Sequence, residues 1–336
     1  MMTHRINAKL NVLWCHDMAM GRVAQQFRGA KWQTALTMVL SEYHAQQYRD
    51  VIGYEEGELY ITRNGFDFSM QPPVKGLDQR DPDLFVYCAR PERGLENLLD
   101  VVWPRLKELR PRARLIVATY DNKAPEMAGF YAAMDAKKKA LGVVDFGALS
   151  KGQLYNLLSS AGAYLYPTPG KLIPNFREIS CIAAIEAQAC GLPFIHTGAG
   201  ALAETALMSP MCTVDRKADF AAQIVSNQQT WADFQGRQLE HVHRYSWDQI
   251  AFEWETKFLE EIDKRNDSPE RLARWFYKRS EIEGALLALD MVDPAQATDL
   301  RDEIKAKYAF TKSDEAFAAH YAGRASWTTR SRGSGS

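Results

Sequence analysis

Short apolar runs rich in β-branched and aromatic residues alternate along the chain with longer stretches whose apolar positions recur every three to four residues. That alternation predicts parallel strands crossed by helices. Strand-like runs come first at residues 10–15, 35–41 and 59–62. A polar, proline-rich stretch at 71–83 follows and reads as a linker between domains. Beyond it, strand-like runs at 84–88, 114–119, 143–146, 163–166, 193–197 and 211–214 are separated by helical stretches such as 95–109, 153–160 and 180–190. The expectation is an α/β protein: a partial Rossmann-like domain over 1–70, the linker 71–83, and a complete doubly wound domain over 84–264. The period stays helical from Ala218 to about Lys264. A polar helical tail is expected over 265–330, opened by Ser268 as cap with Pro269 at the first helical position. The last residues, 331–336, read as an expression remnant and are set aside.

Three parallel strands cannot easily present both edges to water. A neighbouring chain as oligomer partner, the C-terminal tail or a further segment or domain is therefore expected to cover the exposed edge of the first sheet.

Composition narrows the chemistry. The 336 residues suffice for two ordinary domains, and the 46% that are hydrophobic can fill a core in each. With 41 basic and 42 acidic side chains the net charge is −1, so bulk charge draws the chain to neither nucleic acid nor an anionic bilayer. No apolar run approaches the ~18 residues of a membrane span, and the first residues lack the apolar stretch of a secretory signal. Cys15, Cys88, Cys181, Cys190 and Cys212 are odd in number, contain no Cys-x-x-Cys pair and sit among apolar neighbours. They point to buried thiols in a reducing, cytoplasmic setting, with no structural metal.

The stretch Asn175-Phe-Arg-Glu178-Ile-Ser-Cys-Ile-Ala-Ala-Ile-Glu186 carries the most chemistry, with two glutamates eight positions apart. The spacing alone means little; the setting matters. Glu178 falls where a small-residue helix begins, so helix-start amides and a carboxylate face one crevice at the C-terminal edge of the sheet. Such a place holds an anionic group on the amides while the carboxylate grips hydroxyls.

This stretch resembles the E-x(7)-E motif of retaining glycosyltransferases with the GT-B fold, of the family 4 type (glycosyl transferases group 1). Other landmarks follow in the family's order over residues 60–264. Arg63-Asn-Gly-Phe-Asp67 is similar to the sequence before the interdomain crossing. Tyr87-Cys-Ala-Arg90-Pro-Glu-Arg93-Gly94 resembles the opening of the donor domain, with Arg93 where Lys is usual. Val144-Asp-Phe-Gly147 with Leu154-Tyr155, Gly198-Ala-Gly-Ala-Leu-Ala-Glu204, and Tyr245-Ser-Trp247 with Trp254 are similar to the later landmarks. Trp14-Cys-His16-Asp17 resembles the loop that touches the donor sugar from the N-terminal domain.

The resemblance implies a GT-B-like pair of Rossmann-like domains, the first partial, and retaining transfer from a nucleoside-diphosphate sugar to an unidentified acceptor. It implies Arg90 and Arg93 on the diphosphate, Glu178 on the sugar hydroxyls, Glu186 on the ribose, and His16 beside the reacting sugar, with Asp17 next to it. Amides near Ile179, Ser180 and Cys181 and the turn at Gly147 would complete the donor site. No metal or other cofactor is expected. Ile179-Ser-Cys replaces the family's usual Pro-Phe-Gly, and the strand ending at Thr119 lacks its usual glycine pair.

Other readings compete with these. Asp81-Pro-Asp83 has the form of a metal-binding Asp-x-Asp, yet it precedes a strand and also reads as a turn. His241-x-His243 lacks a third ligand at suitable spacing. The basic run Arg105, Lys107, Arg110, Arg112 and Arg114 suits a helix C-terminus. Ser41-Glu-Tyr-His44 reads as acceptor-side or structural. The functional alternative to an enzyme is a non-catalytic nucleotide-binding module, or one domain of a larger protein.

Overall fold

The computed structural model describes residues 10–31, 34–119, 124–207, 213–263, 285–286, 289 and 300–305. The chain divides into two compact units, Met1–Glu253 and Trp254–Ser336.

Two parallel sheets make up the first unit. In the smaller, β1 (Val12–Trp14), β2 (Leu36–Val39) and β3 (Leu59–Ile61) lie in that order, connected through α1 (Gly21–Lys31) and α2 (Glu42–Ile52). All four residues of the central strand are buried, as in a strand covered on both faces. Ser41 starts α2 by accepting the His44 N–H at 3.0 Å. Tyr48 from α2 packs on Phe27 of α1, with ring centroids 5.2 Å apart.

The larger sheet has the order β6-β5-β4-β7-β8, all parallel: β4 (Asp81–Tyr87), β5 (Arg114–Val117), β6 (Val144–Asp145), β7 (Ala161–Tyr166) and β8 (Phe194–His196). The first crossover runs from α3 (Leu95–Asn97) through a π-helical turn, Leu98–Val102, into α4 (Trp103–Leu109). Pro104 near the start of α4 has no N–H to offer the regular ladder, which accounts for the wider turn before it. The later helices are α5 (Ala128–Ala140), α6 (Lys151–Leu158), α7 (Ile182–Ala189), α8 (Leu202–Thr205), α9 (Lys217–Ser226), α10 (Gln228–Val242) and α11 (Trp247–Asp263). Every residue of β7 is buried, and Tyr164 and Tyr166 pack on Phe194 at 4.7 and 5.5 Å. Each such ring contributes about 1.5–3 kcal/mol by burial. Strands are added outward on one side of β4 and on the other side of β7, so the chain reverses direction between these two. Ligands of doubly wound sheets bind outside the C-terminal ends of the strands at such a point.

The expected strands recur with shifted ends, with one exception. No strand forms at 213–214: Val214 opens a 3-10 turn, Val214–Arg216, whose polar residues lead straight into α9, and residues 211–212 lie outside the described residues. β4 begins at Asp81, inside the expected linker, with the Asp81 N–H on the Ser160 carbonyl at 2.9 Å. The register slips between Asp81 and Phe85, so Pro82 sits where its missing N–H breaks no regular ladder. Arg80, only 7% exposed, pins the preceding segment. It donates to the carbonyls of Lys75, Leu158 and Cys190 at 2.9, 2.8 and 2.6 Å and lies over Trp231 at 5.1 Å. Burial pushes its guanidinium down to about 10.

Phe66 joins the smaller sheet to the return of the chain. Its N–H bonds the Tyr245 carbonyl at 2.7 Å, and its carbonyl accepts from Trp247 N–H at 3.2 Å. In the second unit the described residues Ala285, Leu286, Leu289, Leu300 and Ile304 are buried apolar side chains. Most of the expected tail, including Ser268 and Pro269, and also Cys212, lies outside the described residues. Among the described residues no helix is long and apolar enough to cross a membrane. Cys15, Cys181 and Cys190 are buried free thiols, and Cys88 is half-buried.

Candidate active site

A cleft of about 800 Å³ opens between the C-terminal ends of the two sheets. The smaller sheet contributes His16 and Asp17 after β1, and Asn64 after β3. The larger contributes the loop after β4, which carries Arg90 and Arg93, and the end of β7 at Tyr166. The segment from Asn175 into the start of α7 closes it.

Main chain fixes this wall. Gly94 has φ +124°, and a Cβ there would stand 2.8 Å from the Pro167 carbonyl oxygen, so only glycine lets the loops after β4 and β7 meet. Gly200 has φ +66°, and a Cβ there would stand 2.4 Å from the Glu178 carbonyl oxygen. Glu178 and Gly200 form an isolated parallel bridge, with Ala201 N–H on the Glu178 carbonyl at 2.7 Å.

Glu178 is buried at the bottom of the cleft, 3% exposed. Its Oε1 accepts from Tyr166 OH at 2.5 Å and lies 3.5 Å from the Arg93 guanidinium. Burial raises its carboxyl above the ordinary value, against the downward pull of Arg93 and the Tyr166 hydrogen bond. Arg93 lies over Phe176 at 5.0 Å, which fixes the guanidinium plane. Arg90 points its Nε at Glu92 Oε1, 2.6 Å away, so one of the two expected cations comes with a counter-charge.

Ile179, Ser180 and Cys181 line the cleft, but the helix starts two residues later than its sequence signal. Cys181 is its cap, so the first-turn N–H groups belong to Ile182 and Ala183, which line the same cleft. The buried Cys181 caps the helix without a side-chain hydrogen bond.

Glu186 does not line this cleft. Its carboxylate, 6% exposed, accepts from Tyr155 OH at 3.2 Å and forms a close ion pair with Lys151. It stands behind Cys88, a residue of the cleft wall, whose thiol burial and the Glu186 charge push up to about 12. Gly147 does not line the cleft either. It makes the left-handed turn after β6, φ +61°, where its N–H bonds Asp145 Oδ1 at 2.9 Å.

His16 projects from the opposite wall, edge-on to Trp14 at 4.2 Å. Partial burial lowers its imidazole against the raising effect of Asp17, which favours the neutral ring. Ser41 and His44 are structural: His44 accepts the Leu40 N–H on Nδ1 at 3.2 Å and donates from Nε2 to the Asp17 carbonyl at 3.1 Å.

Sequence reasoning did not single out Arg177, Tyr166, Lys151 or Tyr155 as site residues. Arg177 is a third guanidinium in the cleft and precedes Glu178 directly. Tyr166 closes an expected strand, and Lys151 and Tyr155 lie on α6 at the one-turn spacing that brings both to one acidic partner.

The two carboxylates of Asp81-Pro-Asp83 are held by arginines. Asp83 pairs with Arg110 at 2.7 Å and Asp81 pairs with Arg114, at the end of β4 remote from the cleft. Among the described residues no group of three or more His, Cys, Asp or Glu is arranged to hold a metal ion.

Comparison with known proteins bears on the family and the fold. Residues 82–227 match the family described as glycosyl transferases group 1. HepE of Anabaena, solved with UDP and glucose, superposes with a TM-score of 0.60 at 15% identity, over 74% of this chain and 71% of that one. Sucrose-phosphate synthase of Thermosynechococcus elongatus gives 0.57 at 18% identity, over 75% and 68%. A glycosyltransferase of Rickettsia africae gives 0.58 at 12% identity, over 75% and 70%. At these identities the likeness is one of fold. No curated protein matches the chain. Its larger sheet with the surrounding helices, residues 82–227, thus belongs to the glycosyl transferases group 1 family, and the two parallel sheets around one cleft give the chain a GT-B architecture.

Proposed function

We propose that this chain is a retaining glycosyltransferase that moves a sugar from a nucleoside-diphosphate sugar to an acceptor hydroxyl without a metal ion. One observation carries the reading: Arg93, Glu178 and the start of α7 converge with His16 of the opposite sheet on a single cleft.

In the proposed step the bond from the anomeric carbon to the diphosphate oxygen breaks, and its electron pair leaves with the diphosphate. The acceptor oxygen bonds to the anomeric carbon on the same face, and its proton passes to the departing phosphate oxygen. Negative charge grows on the phosphates, so fixed positive groups aimed there are the main catalytic contribution. Arg93, with Arg90 and Arg177 near it and the α7 amides beside it, supplies that charge. Glu178 receives hydroxyls of the donor sugar and His16 reaches it from the other wall. Glu186 stands behind the cleft wall at Cys88, so the ribose role that its motif implies needs the nucleoside to pass that wall and displace part of the Lys151 contact. Neither glutamate is a nucleophile, so no covalent sugar intermediate of the retaining-hydrolase kind is required.

HepE is solved with UDP, so UDP-sugars lead the donor series to be tested. Thermal shifts with UDP-, GDP-, ADP- and TDP-sugars should single out one base in the wild type, with the shift much reduced in Glu186→Ala. Slow donor hydrolysis should disappear in Glu178→Ala and survive a chelator. No shift with any donor, or equal shifts in wild type and Glu186→Ala, removes the proposal.

A further inference from the structure

The two walls of the cleft are joined by a carboxylate that the proposed chemistry leaves unused. Glu204, in the short helix α8, is half-buried and reaches across to the smaller sheet. Its Oε2 accepts the Glu42 N–H at 2.7 Å and its Oε1 accepts the Tyr43 N–H at 2.8 Å. These are first-turn amides of α2, which have no carbonyl partner inside their own helix. Ser41 takes the next one, from His44. A carboxylate in this place also meets the positive end of the helix dipole. The side chain of Glu42 is turned away, onto Arg49 at 2.6 Å, so it does not occupy the same amides.

Both sides of this contact lead into the cleft. Behind Glu204, its own carbonyl accepts from Tyr245 OH at 2.9 Å, and α8 follows directly on Ala201, whose N–H holds the Glu178 main chain. Ahead of it, α2 sends His44 Nε2 and Tyr48 OH to the Asp17 carbonyl, at 3.1 and 3.0 Å. The residue before that carbonyl is His16. An unbroken series of contacts thus runs from the main chain of Glu178 to the loop of His16, through Glu204 and α2, without passing through the ligand space.

We propose that Glu204 is a positioning residue: it straps α2 to the donor-side wall and so sets where His16 stands relative to Glu178. Its kinetic consequence rests on the glycosyltransferase reading above, whereas its structural consequence does not. A shift of about 1 Å in one reacting wall can lower turnover by up to a hundredfold while leaving nucleotide contacts on the other wall in place.

The test uses the full chain with Glu204→Ala, Glu204→Gln and, as a control that leaves the main-chain amide intact, Glu42→Ala. Hydrogen exchange without ligand should rise in Glu204→Ala at residues 16–18 and 42–43, with β4 and β7 protected as in the wild type. UDP affinity by calorimetry should stay within about twofold, while kcat falls on the order of ten- to a hundredfold with little change in donor KM. Glu204→Gln, which keeps one accepting oxygen, should fall between, and Glu42→Ala should behave as wild type. Unchanged exchange at 16–18 and 42–43 in both Glu204 variants overturns the proposal. So does a parallel loss of UDP affinity and of β4 and β7 protection, which would make Glu204 a mere fold support. A wild type that binds no nucleoside diphosphate sinks the functional reading instead, and the exchange result still decides the strap.

Discussion

The Tyr166 hydroxyl donates to Glu178 Oε1 at 2.5 Å, from the last residue of a strand that is buried throughout. A carboxylate so deep needs both this donor and Arg93 to stay aimed at the cleft. Tyr166→Phe removes the donor at nearly constant volume and should raise the Glu178 carboxyl further. We expect about 1–3 kcal/mol of lost stability from the under-satisfied oxygen. Donor turnover should fall as well, its acid limb moving to higher pH; an unmoved pH–rate profile would refute the coupling.

Arg93→Lys tests whether charge or the planar fork matters. Lysine keeps the charge but loses the stacking on Phe176 and the two-pronged donor geometry. The expected order of kcat is wild type, then Lys, then Ala, with Arg93→Ala down by roughly a hundred- to a thousandfold. Steady-state donor hydrolysis measures it, and Arg93→Ala at wild-type rate would remove Arg93 from the diphosphate site.

Gly200→Ala should damage the site more than the fold. The added Cβ strikes the Glu178 carbonyl oxygen, and the left-handed backbone itself costs an alanine roughly 1–3 kcal/mol. Denaturation should report that loss, and calorimetry should show weaker donor binding under conditions where the variant is still folded. Wild-type donor affinity in the folded variant contradicts the bridge as a determinant of Glu178.

Acid should destabilise the protein through two histidines. His44 and His196 are buried and each is pushed down to about 4 from 6.5. Burial is the largest cause for both. Hydrogen bonds to the Asp17 and Leu207 carbonyls offset it in part, and Lys217 adds to it at His196. Asp17 and His16 also face His44, with opposite effects. The unfolded chain takes up protons near pH 6.5 and the folded one only near 4. Stability is therefore fully present above 6.5 and is lost as the pH falls through that window, by roughly 3 kcal/mol per histidine. Urea denaturation at pH 7.5 and 4.5 checks the slope, which should flatten in His196→Gln.

Much of this was legible in the chain. All the expected strands but the one at 211–214 recur because parallel strands buried on both faces leave continuous apolar runs, as Ala161 to Tyr166 shows. The four groups that converge, Arg93, Glu178, the start of α7 and His16, follow from motif order. The unread part is tertiary. Nothing near Glu186 in sequence announces Lys151 and Tyr155, which come from another helix, 35 and 31 positions away. Glu204 looked like one more loop residue because its partners are backbone amides, which leave no mark on composition. Pro82 misled in the other direction, a turn former sitting at a register slip.

The meeting of the β4 and β7 loops at Gly94 bears on how this cleft can be re-engineered. Lengthening either loop pushes directly on the other's backbone, so insertions there should be poorly tolerated. Room for a bulkier donor has to come instead from trimming Ile173, which is 37% exposed, and Asn175, which line the cleft beside Phe176 and Arg177. Those two positions are the natural place to randomise in a search for new sugar specificity.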